Sequence, residues 1–172
     1  NQAAKIGLSD GKTCFLKWNQ TAHSRMFSVE EKGLNLLASA GTDIRIPEAF
    51  ATGKTNTDTG FLVQEFITEG QSKSDSAETF GINLAKLHQQ QNEQFGLDHD
   101  NYIGRLPQSN NWHDSWIDFF IEERMKPQLK MATNAGNLDS NIVAHFESLY
   151  KQLPDIFPDE PPTILVETNV QQ

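Results

Sequence analysis

The chain has 172 residues, 37% of them hydrophobic and 22% charged, which suits one domain with a sizeable core. Its 23 acidic residues outweigh 14 basic ones, for a net charge of −9, and Lys and Arg cluster nowhere, so neither a nucleic-acid groove nor an anionic membrane surface is expected. The longest apolar runs, such as Phe61-Leu62-Val63, are too short to span a bilayer. A single cysteine, Cys14, rules out an intrachain disulfide and points to a reducing, cytoplasmic setting.

In chain order, Ala3–Leu8 and Thr13–Trp18 flank the turn signal Ser9-Asp10-Gly11-Lys12 and predict a β-hairpin. A helix follows. Ser28 and Glu31 fit a capping box at its start, with a start one turn earlier near Ser24 as the alternative. Leu34, Leu37 and Ala38 give it an apolar stripe, and Gly41 a stop. Pro47 opens an extended segment, Glu48 to Gly53. A polar loop then leads to the strand Phe61–Phe66, and polar residues from Thr68 to Ser76 form a linker.

The second half reads as helical. Asp75 and Glu78 bracket a helix start, with Phe80, Leu84 and Leu87 repeating at i, i+4 and i+7. Phe95 to Asn111 is expected to be an irregular loop. Trp112 to Met131 should form one long aromatic-faced helix, and Ile142, Phe146, Leu149 and Leu153 line another. Pro154, Pro158, Pro161 and Pro162 should break the chain before a short strand at Thr163–Val166.

Three features carry candidate chemistry. Lys17 ends a strand, and Glu30 falls thirteen residues later on the helix. Such a lysine neutralises nucleotide phosphate charge while the glutamate fixes its position. On spacing alone, a plain surface lysine is the simpler account. Glu31 faces elsewhere and is assigned to the helix cap. Second, the strand Leu62–Ile67 runs into a linker, where the Glu65 carbonyl and Ile67 amide could hydrogen-bond an adenine edge; many plain edge strands end the same way. Third is the loop Phe95-Gly96-Leu97-Asp98-His99-Asp100-Asn101-Tyr102-Ile103-Gly104-Arg105-Leu106-Pro107-Gln108, followed by Trp112, Trp116, Phe119-Phe120, Glu123-Arg124 and Pro127-Gln128-Leu129. Asp98, Asp100 and Asn101 lack calcium-loop spacing and suit loop shaping instead. None of the five histidines forms a metal-ligand pair, and His88, on an apolar helix face, is read as a core residue. Phe119 and Phe120 are read as core, and Cys14 as a buried strand residue.

That third segment resembles the signature region of the fructosamine (ketosamine) kinase family, "FGLDxDNYIGxLPQ" followed by a tryptophan and an aromatic helix. The likeness extends back through Leu84–His88, Phe61–Ile67, Met26–Leu34 and Phe15-Leu16-Lys17 to Asn1-Gln2-Ala3, which is similar to the end of the family's phosphate loop. The resemblance implies an α+β, protein-kinase-like two-lobed fold, with a small β-rich N-terminal lobe and an incomplete helical C-terminal lobe. Residues 1–68 would form the nucleotide-binding lobe, 69–75 a linker, and 76–172 the partial helical lobe. It implies ATP and Mg²⁺ as cofactors and phosphorylation of the 3-hydroxyl of a ketosamine, free or on a glycated protein, leading to deglycation. It places Lys17 on the phosphates, Glu30 on Lys17, and Glu65 with Ile67 around adenine.

One departure stands out. After a run like Pro161–Leu165 the family continues with a His-Gly-Asp motif holding its catalytic aspartate, whereas this sequence reads Val166-Glu167-Thr168-Asn169-Val170-Gln171-Gln172. No catalytic or metal-binding aspartate is therefore expected among these residues, and Glu167 is not a substitute. Because Val-Glu-Thr codons contain Gly-Asp in a shifted frame, a truncation by frameshift or a misplaced gene end is the expected origin of the tail. A non-catalytic nucleotide-binding fragment is the alternative to an active kinase.

Overall fold

A computed structural model describes residues 1–20, 25–71 and 73–157. Strands β1 (Gln2–Gly7) and β2 (Thr13–Asn19) pair as the expected hairpin. Gly11 takes φ 83° in the turn, a conformation that glycine adopts without Cβ strain. Helix α1 (Arg25–Ser39) follows, then β3 (Ala49–Lys54) and β4 (Gly60–Glu65). The four strands form one antiparallel sheet in the order β1-β2-β4-β3. Helix α1 packs on β3 and β4, with Phe27 and Leu37 buried, and Leu62 of β4 is 0% exposed.

The earlier of the two helix starts is the one adopted. Ser28 lies inside α1, where its Oγ donates to the Arg25 carbonyl at 2.9 Å and so caps nothing. Gly41, φ 65°, follows the helix end as expected. Helix α2 (Ser76–His88) belongs to the same compact unit as the sheet, residues 1–90. Its buried Asn83 accepts the Asp43 amide at 3.1 Å and donates to the Thr79 carbonyl. Asn83 and the half-buried Leu87 define the inward face. His88, one residue past Leu87, lies about 100° further round the helix and is exposed rather than in a core.

The second compact unit begins at Gln91. The segment expected to be an irregular loop contains a small hairpin, β5 (Asn101–Ile103) and β6 (Leu106–Gln108), turned by Gly104 at φ 62°. The long aromatic helix starts later than its apolar pattern suggests and is not uniform. Ser115 caps α3 (Trp116–Phe119), which widens into a π-helical turn (Phe120–Met125) and narrows again into α4 (Lys126–Asn134). Helix α5 (Ser140–Ile156) runs through Pro154 instead of ending before it; proline in the last turn costs little because few further bonds depend on it. Ile117, Leu129, Tyr150 and Leu153 form the buried core of this unit, with Trp116, Phe120 and Phe146 packed around them. Phe119 is buried and Phe120 half-buried. The strand expected at Thr163–Val166 lies outside the described residues. None of the helices described is long and apolar enough to cross a membrane.

Candidate nucleotide site and signature loop

Register places the central residues of the first unit in one row. Ala3 faces Lys17, Lys17 faces Leu62, and Leu62 faces Thr52. Directly opposed residues of antiparallel strands share a sheet face. Lys17 and Thr52 therefore flank Leu62 beneath α1. Lys17 Nζ donates to Glu30 Oε1 at 2.5 Å, with the two side chains 14% and 26% exposed. The pair is shielded enough for its attraction to exceed that of a surface ion pair, yet open enough to avoid the full desolvation cost.

Glu31 does not cap the helix. It lies on α1 one residue past Glu30, and its Oε2 accepts the Thr52 hydroxyl at 2.8 Å. The capping assignment fails because α1 begins three residues before Ser28, which moves Glu31 into the second turn.

Glu65 closes β4, opposite Cys14 in register. Its amide donates to the Glu48 carbonyl at 2.8 Å, and its carboxylate accepts a hydrogen bond from Arg45. That Arg45 bond, reinforced by the guanidinium charge, holds the Glu65 carboxyl below its usual range against an opposing rise from desolvation. Ile67 follows just beyond the strand and is partly exposed. Lys17 and Glu30 are thus brought into contact, and Glu65 and Ile67 sit together at the strand end. Cys14 is buried.

In the second unit the signature segment is a loop closed at its neck. Phe95 and His113 exchange amide–carbonyl hydrogen bonds, both 2.9 Å. Asn110, 1% exposed, is the hub: its amide donates to Asp100 Oδ1 at 3.1 Å, and its Nδ2 donates to the His99 carbonyl and Asn101 Oδ1, each at 3.0 Å. Asp100 and Asn101 thus shape the loop, as expected. Gly96, φ 143°, lies where a Cβ would come within 2.9 Å of the Asn110 and Asn111 carbonyl oxygens.

The π turn grips this loop with consecutive residues. Buried Glu123 accepts from Asn111 Nδ2 at 3.2 Å and contacts His113 Nε2 at 3.0 Å. Arg124 donates to the Ser109 carbonyl and Asn110 Oδ1, both at 2.7 Å, with its guanidinium over the Phe119 ring. Burial raises the Glu123 carboxyl, but hydrogen bonds from Ser109, His113 and Asn111, with the charge of His113, together hold it below the usual range. Periodicity could not reveal this grip, because a wider helical turn has no sequence period to read. The acidic-basic pair Glu123-Arg124 was the available clue.

Among the described residues no cluster of three His, Cys, Asp or Glu side chains could hold a metal ion.

The sequence pattern of the fructosamine kinase family matches residues 1–166. A protein named probable ketoamine kinase from Synechocystis sp. is 41% identical over 131 residues, which are 75% of this chain and 44% of that protein. The chloroplastic protein-ribulosamine 3-kinase of Arabidopsis thaliana is 33% identical over 151 residues, 87% of this chain and 45% of its own length. The chain therefore spans about half the length of these relatives. Among solved structures, a fructosamine-3-kinase designation belongs to a Haemophilus somnus chain that matches with a TM-score of 0.76 and 27% identity, over 94% of this chain and 58% of that one. A Thermobifida fusca chain of the same designation matches with a TM-score of 0.74 and 27% identity, over 95% and 60%. The fold is accordingly the α+β, protein-kinase-like one that the resemblance implies. With the family pattern running from the first residue through the signature loop and beyond, the chain belongs to the fructosamine kinase family.

Proposed function

We propose that this chain is the nucleotide-binding portion of an ATP-dependent ketosamine kinase, and that the parent protein transfers the γ-phosphate of ATP to the 3-hydroxyl of a ketosamine. The observation that carries this reading is the Lys17–Glu30 contact at 2.5 Å on the row beneath α1. Lys17 donates to the phosphates and offsets their charge, while Glu30 keeps the ammonium in place. Glu65, through its carbonyl, and Ile67, through its amide, frame the adenine edge. Residues 1–68 act as the nucleotide lobe, 69–75 as the linker, and residues from 76 onward as the helical lobe. In the transfer, the sugar hydroxyl oxygen forms a bond to the γ-phosphorus as the bridging bond to ADP breaks, ADP leaves with that bond's electron pair, and the hydroxyl proton is released to solvent. Mg²⁺ would supply further charge neutralisation when bound.

Relatives named ketoamine kinase and protein-ribulosamine 3-kinase support a ketosamine acceptor, free or attached to protein. Deglycation of that acceptor is the proposed outcome. A cytoplasmic site of action fits a chain whose one cysteine is a buried free thiol.

A second reading has its own support. Glu167-Thr168 stands where the family resemblance implies a Gly-Asp pair, which favours nucleotide binding without phosphate transfer. Incubation with Mg²⁺, ATP and fructosyl-lysine, beside an ATP titration, separates the two. Phosphate transfer is the outcome of the first reading and binding without turnover that of the second; absence of both overturns the nucleotide assignment.

A further inference from the structure

Two adjacent glutamates of α1 reach the sheet on either side of one buried leucine. Glu30 meets Lys17 on β2 at 2.5 Å, and Glu31 meets Thr52 on β3 at 2.8 Å. Lys17, Leu62 and Thr52 occupy one register row across β2, β4 and β3, and Leu62 is fully buried between them. A helix resting on a sheet through apolar contacts alone can roll about its axis at small cost, since such contacts lack direction. Two directional bonds on opposite sides of the same apolar contact remove that freedom. A roll that loosens Glu31 from Thr52 also swings Glu30, about 100° away on the same turn, off Lys17.

We propose that Thr52, through its hydroxyl bond to Glu31, is a positioning residue that sets the roll of α1 and thereby holds Glu30 on Lys17. The functional consequence rests on the nucleotide reading above, but the mechanical one does not. The hydroxyl of Thr52 bonds to Glu31 and acts on Glu30 and Lys17 through the helix. A purely structural bond would add stability and leave the environment of Lys17 unchanged.

The test compares Thr52→Val, which keeps the shape and removes the hydroxyl, with Thr52→Ser, which restores the donor. Its first readout is the rate at which Lys17 is acylated by N-acetoxysuccinimide in the nucleotide-free chain, followed by mass spectrometry against the other lysines. Thr52→Val should speed Lys17 acylation by about fivefold, the equivalent of one modest hydrogen bond, and Thr52→Ser should return it to the original rate. The second readout is affinity for the non-hydrolysable analogue AMP-PNP with Mg²⁺, which should weaken by a similar factor, about fivefold, and recover in the serine variant.

A folded Thr52→Val chain whose Lys17 acylates at the original rate overturns the proposal. Lys17→Met with unchanged AMP-PNP affinity overturns the nucleotide reading instead, and acylation then decides the positioning role alone. Should Thr52→Val fail to fold, the unmodified chain still answers. A Thr52 hydroxyl proton exchanging with water as fast as that of an exposed threonine contradicts the bond, and slow exchange that persists alongside protected Lys17 supports it.

Discussion

Glu123 shows how a single carboxylate ties a loop to a helix. Its folded pKa lies below the usual carboxylate range, so the ionised form is favoured by folding. Its contribution to stability is present above the unfolded value and is lost as pH falls through the lower folded one. Glu123→Gln should therefore flatten the acid limb of a plot of urea midpoint against pH below about 4.5, and have less effect on that slope near neutrality. Gly96 is a second residue whose identity is dictated locally. Alanine there would meet two backbone oxygens at 2.9 Å in a backbone region that L-residues rarely adopt. Gly96→Ala should cost roughly 1–3 kcal/mol by urea titration, with the signature loop the first region to lose amide protection. The pairing of Lys17 with Glu30 was legible through the family resemblance, which sets both in register, whereas spacing alone left Lys17 a plain surface lysine. Thr52 was not. It becomes visible only through the antiparallel register that sets it level with Lys17, which no local pattern encodes.

At the scale of elements, the strands of the sheet were legible to within one or two residues, since Gly11, Pro47 and the polar run after Lys54 punctuate short apolar alternations. Helix starts were harder. Two serines competed to open α1, and the side chain of Ser28 found a carbonyl inside the helix instead. The 95–113 segment concealed its hairpin because β5 and β6 are three residues each, too short for alternation to register. Helix α5 is better signposted: Asp139 accepts the Ile142 amide at 2.9 Å as its N-cap. Asp139→Ala should destabilise the second unit by about 1 kcal/mol, measured by denaturant titration, and fray the first turn of α5 before the turn bearing Tyr150 and Leu153.

Across the molecule, apolar residues remain uncovered in both compact units. Phe80 and Ile82 on α2 are 56% and 51% exposed, and Ile156 near the end of α5 is also open. Phe80 and Ile82 lie about 200° apart round α2, so large apolar side chains stand open on both of its sides, and such exposure favours association. The chain should sediment as concentration-dependent oligomers, and Phe80→Ser together with Ile82→Ser should shift the distribution toward monomer; an unchanged sedimentation profile would place the association elsewhere. The π turn changes what a deletion would do there. It carries one residue more than an α-helix needs for the same rotation, so removing one residue between Phe120 and Met125 should tighten the turn to α geometry and leave Leu129 against Ile117, Tyr150 and Leu153. The loss would fall on the signature loop instead, because the consecutive positions that now hold Ser109, Asn110, Asn111 and His113 could not both keep their places.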